Sequence, residues 1–529
     1  MVSPHGVKLA VYLISSFFGD HNAKVIECLL NRGTLTLAQI LRFTELSREN
    51  VRSCLLVLIH HNCVQALAIQ QEGAFGDAPK IITQYMALFD NIIHRMRFPK
   101  FIEMVSQELG KECEGIFEGL LQHGRLSLNQ ILDRHKQMAS QGDSGKDAAL
   151  DSFKSLVNAR FVERCPAPEP FIAPPSDDET PAKKRGAKAG KMAEVTIEQR
   201  ALEAAAPMES LRFLVETDSW NDASDKESNK KTNDIAVGGK RKLDESELLA
   251  KDESKVLWRV NFEEFIRRAR HKACIANVKA RLNDEAAIVL DAILELSRSS
   301  EAKVKVDNSA SLSINSIYDA VIKKEGGLGM DFERIRAALV QLGCETPLIP
   351  IDESYSIDLK NIIELARTEE VEPIVLKRYG REAYRMFRLL SKASRLFLTD
   401  EVSNATFVEK KDAVKILLGL WKDDYVEMKV IVLVLICLYS YVNQSEQMLW
   451  SVNKQSLWRH VLDEMYHAAL NLRLRITHEI EQEKETLQMP REKLTGELSI
   501  KYKRLMKVRI ALESALMNLD DAIMLFHDF

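Results

Sequence analysis

The sequence predicts a mostly α-helical chain with small β-hairpin wings: four tandem winged-helix domains followed by a C-terminal antiparallel coiled-coil hairpin. Three observations predict it. The stretch Leu29 to Leu41 (LLNRGTLTLAQIL) returns 91 positions later as Leu120 to Leu132 (LLQHGRLSLNQIL), with eight of thirteen residues identical. Self-similarity at a fixed spacing marks one structural unit used more than once. Each copy sits in the order helix, helix, helix, strand, which for the first copy continues through a loop into a second strand, the order of a helix-turn-helix carrying a β-hairpin wing. Near the C-terminus, Leu498, Leu505, Leu512, Leu519 and Phe526 fall every seven residues, the spacing of a helix–helix seam.

In the first unit (1–90), apolar periodicity gives helices over Val7–Phe18 and Lys24–Leu30, with Gly33 as a stop and a short helix from Thr36 to about Phe43. Ser47 is a suitable N-cap for a third helix, which places Val51, Cys54, Leu55 and Leu58 inward and turns Arg48 and Arg52 elsewhere. Strands are expected over Val64–Ile69 and Lys80–Met86, around the turn-rich stretch from Glu72 to Pro79. The second unit (91–166) repeats this order. Helices cover Gly110–Gln122, Ser127–Lys136 and Asp147–Ala159, a polar loop covers Met138–Lys146, and a strand begins in Phe161–Cys165.

Residues 167–255 change in composition, from crowded prolines to charged and polar runs. Such a segment buries too little apolar surface to offset its ordering entropy, so it reads as a largely disordered linker, with room for a helix or short pairing strand around Val195–Val215. The basic runs Lys183, Lys184, Arg185 and Lys240, Arg241, Lys242 within it suit nuclear import; a solubilising charged linker is the plainer reading.

A third unit (256–358) starts near Trp258. It has helices over Glu285–Leu296 and Ser311–Lys323, a helix capped by Asp331 that buries Ile335, Ala338, Leu339 and Leu342, and strand-like segments over Leu348–Ile357. Gly326 to Gly329 (GGLG) lacks the strand before it and the Lys-Ser/Thr after it that a phosphate loop needs, so it reads as a plain loop. The fourth unit (359–455) has helices over Asn361–Tyr379, Arg381–Ala393, Thr399–Ala405 and Val408–Trp421. Residues 456–529 form the hairpin, with Leu462, Met465, Ala469, Leu472 and Ile476 as its first stripe, Val508, Ala515 and Ala522 between the sevens of its second, and a break at Met489-Pro490. A homodimer seam is the weaker alternative to self-pairing.

With 73 basic and 77 acidic residues the formal net charge is −4, so no global field draws the chain to DNA or membrane, and nucleic-acid contact has to come from local patches. The eight cysteines lie far apart with no CxxC pair, as expected of buried thiols in a reducing compartment. No signal segment or membrane-length apolar run stands out, so a soluble, intracellular chain is expected. No HExxH, Walker loop, GxSxG elbow or metal-ligand spacing is found, and His60-His61 needs no metal to explain it at a helix end. The reading is therefore one with no catalytic residues, cofactor, metal or small-molecule substrate.

The order of parts resembles the tandem winged-helix, C3-type subunits of RNA polymerase III, the largest member of that enzyme's dissociable initiation heterotrimer. The stretch from His21 to Val64 (HNAKVIECLLNRGTLTLAQI to NVRSCLLVLIHHNCV), FVERCP (Phe161 to Pro166) and LWRVNFEEF (Leu257 to Phe265), taken as the entry to the third unit, carry the likeness. The resemblance implies a non-catalytic nuclear subunit on the polymerase clamp. It would bind the two smaller heterotrimer subunits, meet initiation factors and promoter DNA, and assist promoter opening at transfer RNA, 5S RNA and other small RNA genes. The rival reading is a free-standing winged-helix DNA-binding regulator; a proteasome-lid or translation-factor scaffold fits less well because the module recurs. One departure from the family pattern is KVIVLVLICLYSYV (Lys429 to Val442), an apolar run where a polar wing is expected. Translated intron or alternative splicing over part of Val430–Gln447 is one explanation, and a buried strand or helix the other.

A winged helix can set its third helix in a DNA major groove. Arg48, Arg52, Lys154, Arg160, Arg334, Arg336, Lys410, Lys411 and Lys415 sit on or beside those helices as candidate DNA or partner contacts. The same helices carry Glu49, Asp151, Glu333 and Asp412, which weakens a phosphate-binding role, so solvated faces or protein docking are the plainer readings.

Overall fold

The computed structural model describes residues 2–71, 80–139, 144–172, 196–215, 256–298, 305–344, 354–393, 395–436, 442–484 and 496–529. Lys183, Lys184, Arg185, Lys240, Arg241, Lys242 and the break at Met489-Pro490 lie outside the described residues. The chain folds as two compact units, one of residues 10–265 and one of residues 3–9 with 266–529.

The first unit holds two modules. In the first module, α1 (Pro4–Phe18), α2 (Asp20–Arg32), β1 (Leu35–Thr36), α3 (Leu37–Thr44) and α4 (Arg48–His60) precede the wing strands β2 (Val64–Gln71) and β3 (Lys80–Ala87). Val25, Ile26, Leu29, Ile40, Val51 and Leu58 fill its core. The thirteen duplicated residues run from the end of α2 through Gly33 into a capping box, in which Thr36 accepts from the Gln39 amide and Gln39 reaches back to Thr36. The two-residue β1 inside this stretch, antiparallel to β3, was not expected from the sequence.

A short α5 (Phe89–His94) and a 3-10 turn lead to the second module: α6 (Phe98–Leu109), α7 (Lys111–His123), β4 (Leu126–Ser127), α8 (Leu128–Ala139), α9 (Ser144–Asn158) and β5 (Val162–Arg164). Both α8 and α9 extend into the stretch expected to be a polar loop. The linker forms a strand at residues 171–172 that was not expected, and a helix inside Val195–Val215, where room for one was allowed. Its β6 (Phe171–Ile172) joins the first wing as a parallel strand beside β2, and α10 (Ile197–Ala205) seats Ala201 against Leu67, Met86 and Ile172. After α11 (Glu209–Arg212) the chain returns as β7 (Leu257–Val260), which lies between β4 and β5.

That strand corrects the expected boundary between the second and third modules: LWRV completes the second module's sheet. Trp258 and Val260 alternate inward, and Trp258 meets Phe153 edge-on. Phe265 then stacks on Phe101 and Phe161 at ring distances of 4.6 Å and packs on Phe117. Aromatic burial of this size favours the return of the chain to this sheet, since the entropic cost of bringing distant segments together grows only slowly with their separation.

The helix α12 (Phe262–Arg281) has its first four residues in the first unit and the rest in the second, which continues with α13 (Asp284–Ser297), β8 (Leu312–Ser313), α14 (Ile314–Ile322), α15 (Phe332–Gln341) and β9 (Ser354–Tyr355), which pairs with β8. Asp331 stands at the N-cap of α15 but makes no side-chain cap bond, and Leu342 is half-buried, against expectation for both. The fourth module has α16 (Leu359–Lys392), broken at Gly380 where φ is 87°, then β10 (Phe397–Leu398), α17 (Thr399–Thr406) and α18 (Lys410–Lys422). Its wing is β11 (Glu427–Ile436) against β12 (Val442–Ser451), ten register pairs from Glu427↔Ser451 to Ile436↔Val442. The first eight residues of the apolar run, from Lys429 to Ile436, thus form the greater part of β11, with Lys429 and Val430 exposed rather than buried; 437–441 lie outside the described residues. Trp450 is fully buried and donates from Nε1 to Thr399 Oγ1 at 2.9 Å.

The last helices, α19 (Lys454–Gln482) and α20 (Glu497–His527), pack on each other, with Tyr466 near the middle of one against His527 at the end of the other, consistent with the expected hairpin. Their seam drifts from sevens. Ala515 is exposed and Leu516 buried, and the inward residues Leu505, Leu516 and Ile523 follow straight-helix geometry. Residues 3–9 pack here too: the His5 backbone N–H donates to Asp463 Oδ1 at 2.9 Å and its ring stacks on His467.

Candidate interaction surfaces

All four third helices end the same way. A residue with positive φ follows each, Asn62 (58°), Arg160 (63°), Gly343 (87°) and Asp424 (59°). The next amide then donates back across the last turn, from Cys63 to Leu58, Phe161 to Leu156, Cys344 to Leu339 and Tyr425 to Leu420. This is the Schellman cap. It explains Arg160: the position belongs to the cap, and its guanidinium lies over the Phe213 ring at 5.5 Å.

The remaining candidate cations divide sharply. Arg334 binds Glu285 at 2.9 Å and the Gly329 carbonyl at 3.2 Å, and Arg336 binds Glu333 at 3.2 Å. Lys410 meets Asp400 at 2.6 Å, Lys415 meets Asp412 at 3.1 Å, and Lys154 stands 3.9 Å from Asp151. Exposed pairs of this kind contribute little stability, but they cancel the field a phosphate would feel. Arg48, Arg52 and Lys411 are exposed and make no ion pair among the described residues. Arg48, Arg52 and the 70% exposed Leu56 succeed one another at four-residue spacing along α4, forming one cationic and apolar stripe. In the turn before each third helix the first module sets Glu45 and the fourth sets Phe407, 93% exposed, both at positive φ.

Two features escaped the sequence reading. The first and second modules meet where Arg125 donates from Nε to Asn62 Oδ1 at 2.9 Å and Gly124 abuts the His60 carbonyl. Three histidines crowd this junction. Burial, then Arg95, His60 and His123, pushes His61 down to about 4; burial and Arg125 lower His60, and burial and Arg134 lower His123. An unfolded imidazole takes a proton near pH 6.5, whereas the folded His61 refuses it until about 4. Stability from this group is therefore complete above pH 6.5 and is lost as pH falls toward 4. Thermal melts of the wild type should drop across that window, and those of His61→Gln should drop less; equal slopes would remove His61 from the account.

The second is the buried Glu163 of β5, which receives Arg212 Nε at 2.6 Å and Arg259 at 2.8 Å. Its sequence signal was a charged residue among the inward Phe161 and Val162. No grouping of His, Cys, Asp and Glu able to hold a metal occurs among the described residues, and the best-formed clefts are small: about 200 Å³ beside Trp421 and Asn453, and about 290 Å³ beside Cys28 and Phe43. No described helix is long and apolar enough to cross a membrane.

Comparison with known proteins bears on all four modules. Residues 8–68 match the helix-turn-helix domain of RNA polymerase III subunit RPC82, residues 151–365 match RNA polymerase III subunit RPC82, and residues 371–432 match the POLR3C C-terminal winged-helix domain. The chain belongs to the RPC82/RPC3 family. Among the family's members, DNA-directed RNA polymerase III subunit rpc3 of Dictyostelium discoideum is 22% identical over 99% of both chains. Subunit RPC3 of Danio rerio is 24% identical over 80% of this chain and 76% of its own, and that of Homo sapiens is 21% identical over 91% and 86%. The last domain match stops at residue 432, inside β11 and the apolar run.

Proposed function

We propose that this chain is a nuclear, non-catalytic subunit of RNA polymerase III that scaffolds the initiation heterotrimer. In this reading it sits on the clamp of the largest subunit, holds the two smaller heterotrimer subunits, and helps initiation factors open promoters of small RNA genes. The observation that carries the scaffold reading is the local neutralisation of its third helices. Arg334, Arg336, Lys410, Lys415 and Lys154 are each matched by an acid, so these helices suit protein surfaces better than phosphate backbones. Arg48 and Arg52 on α4 and Lys411 on α18 are not matched in this way, and the stripe that Arg48 and Arg52 form with Leu56 is assigned the direct contact with promoter DNA or a partner.

Tagged full-length chain should bring polymerase III subunits out of nuclear extract; recovery of none would defeat the reading. Charge reversal at Arg48 and Arg52 together should leave the melting temperature unchanged, because exposed substitutions cost within about 0.5 kcal/mol, while lowering initiation from a transfer RNA promoter in a reconstituted assay. A large loss of thermal stability would show that these side chains hold the fold instead.

A further inference from the structure

The GGLG turn between α14 and α15 does more than connect them. Gly326 has φ of 88°, and a Cβ on Gly327 would lie 1.9 Å from the Val321 carbonyl oxygen, so the turn is pressed against α14 in a form only glycine allows. The Gly327 amide donates to Lys324 O, the Met330 amide donates to Gly327 O, and Met330 is buried beneath. From the other side Arg334, anchored on Glu285, donates to the Gly329 carbonyl. The residue this clamped turn carries outward is Leu328, 83% exposed. Beside it in sequence Phe332, 40% exposed, stacks on Tyr318 at 4.0 Å with ring planes 11° apart. A large apolar side chain held out on a rigid turn has already met the ordering cost that a docking anchor incurs.

Charge says what docks. Arg334, Arg336 and Lys324 on this face are matched by Glu285, Glu333, Asp291 and Glu295. Asp319, Glu325 and Asp331 stand exposed nearby, with Lys323 as the exposed cation among them. Asp331, at the helix start but making no cap bond, has its carboxylate available to a partner. An acidic rim repels phosphate and attracts lysine and arginine.

We propose that the α14–α15 turn of the third module is a protein-docking surface on which Leu328 and Phe332 anchor an apolar segment flanked by basic residues of a partner polypeptide. A photoreactive phenylalanine analogue placed at position 328 of the full chain, irradiated in the cells that express it, tests this by mass spectrometry of the crosslinked product. The expected product joins position 328 to a polypeptide segment carrying Lys or Arg beside apolar residues. Its yield should fall about tenfold, a 1.4 kcal/mol change, when Asp331→Lys and Glu325→Lys are combined. Should that pair disturb the melting temperature, Asp331→Asn with Glu325→Gln gives the same test without new charge. Crosslinks to nucleic acid, to a second copy of this chain or to a segment without basic residues would overturn the proposal. So would no crosslink, or a yield indifferent to the charge changes. The partner's identity is read separately: a basic partner that is neither a polymerase subunit nor an initiation factor supports this surface without supporting the polymerase reading.

Discussion

Alanine at Gly124 should destabilise the 10–265 unit clearly more than alanine at Gly33, although the two glycines are 91 positions apart at the same place in the repeat. Both end a second helix and both have positive φ, 81° at Gly33 and 82° at Gly124. A side chain in such backbone costs about 1 to 3 kcal/mol at either site. A Cβ at Gly33 meets nothing within 4 Å, whereas at Gly124 it would fall 2.4 Å from the His60 carbonyl oxygen and 3.0 Å from the His61 Cα. Both are backbone atoms at the end of α4, so the clash is relieved only by separating the first and second modules, adding about 1 to 3 kcal/mol of overpacking. In melting temperature the difference is roughly 2 to 12 °C for a unit of this size. Hydrogen exchange at the Asn62–Arg125 contact should rise in Gly124→Ala alone. Equal losses in the two variants would mean that the modules do not rest on this contact.

The same pair shows how far the sequence could be read. What is local along the chain was legible: helix periodicity, the Ser47 cap and the repeated short second helix all depend on neighbours within four residues. Partners distant along the chain were not. Trp258 looks like the start of a new module until β4 and β5 are seen to leave a place between them, and Ala201 looks like linker until Leu67, Met86 and Ile172 of the first wing are seen packed against it. The acidic neighbours of the candidate cations were hidden in the same way. Nothing near Arg334 in sequence announces Glu285, yet that pair anchors the guanidinium that donates to the GGLG turn. The heptad stripe misled for another reason: sevens run at 3.5 residues per turn and a straight helix at 3.6, so over α20 Leu516 takes the inward place expected for Ala515.

Removing the Glu163 carboxylate should be the most damaging single side-chain loss in the second module. Glu163 is 2% exposed in β5 and joins Arg259 of β7 to Arg212 of α11, so one carboxylate ties the returning strand and the linker to the same sheet. Burial works against the charge on Arg212, but Glu163 and Glu263 outweigh it and hold the guanidinium more firmly protonated than usual. Deleting one partner of a buried ion pair costs about 3 to 5 kcal/mol, because the charges left behind stay desolvated; Glu263 remains 2.9 Å from Arg212, which sets Glu163→Ala near the lower end of that range. A fall of roughly 6 to 12 °C in the transition of the 10–265 unit is expected. Arg212→Ala should cost less, since Glu163 keeps Arg259, but it frees α11: limited proteolysis should then cut near residues 206–215 while the sheet stays intact. If Glu163→Gln, which keeps the shape and loses the charge, melts with the wild type, the network is held by hydrogen bonding and packing and the charge contributes nothing. If Arg212→Ala leaves the proteolysis pattern unchanged, the ordered part of the linker is held by Ala201 and Ile172 on the first wing instead.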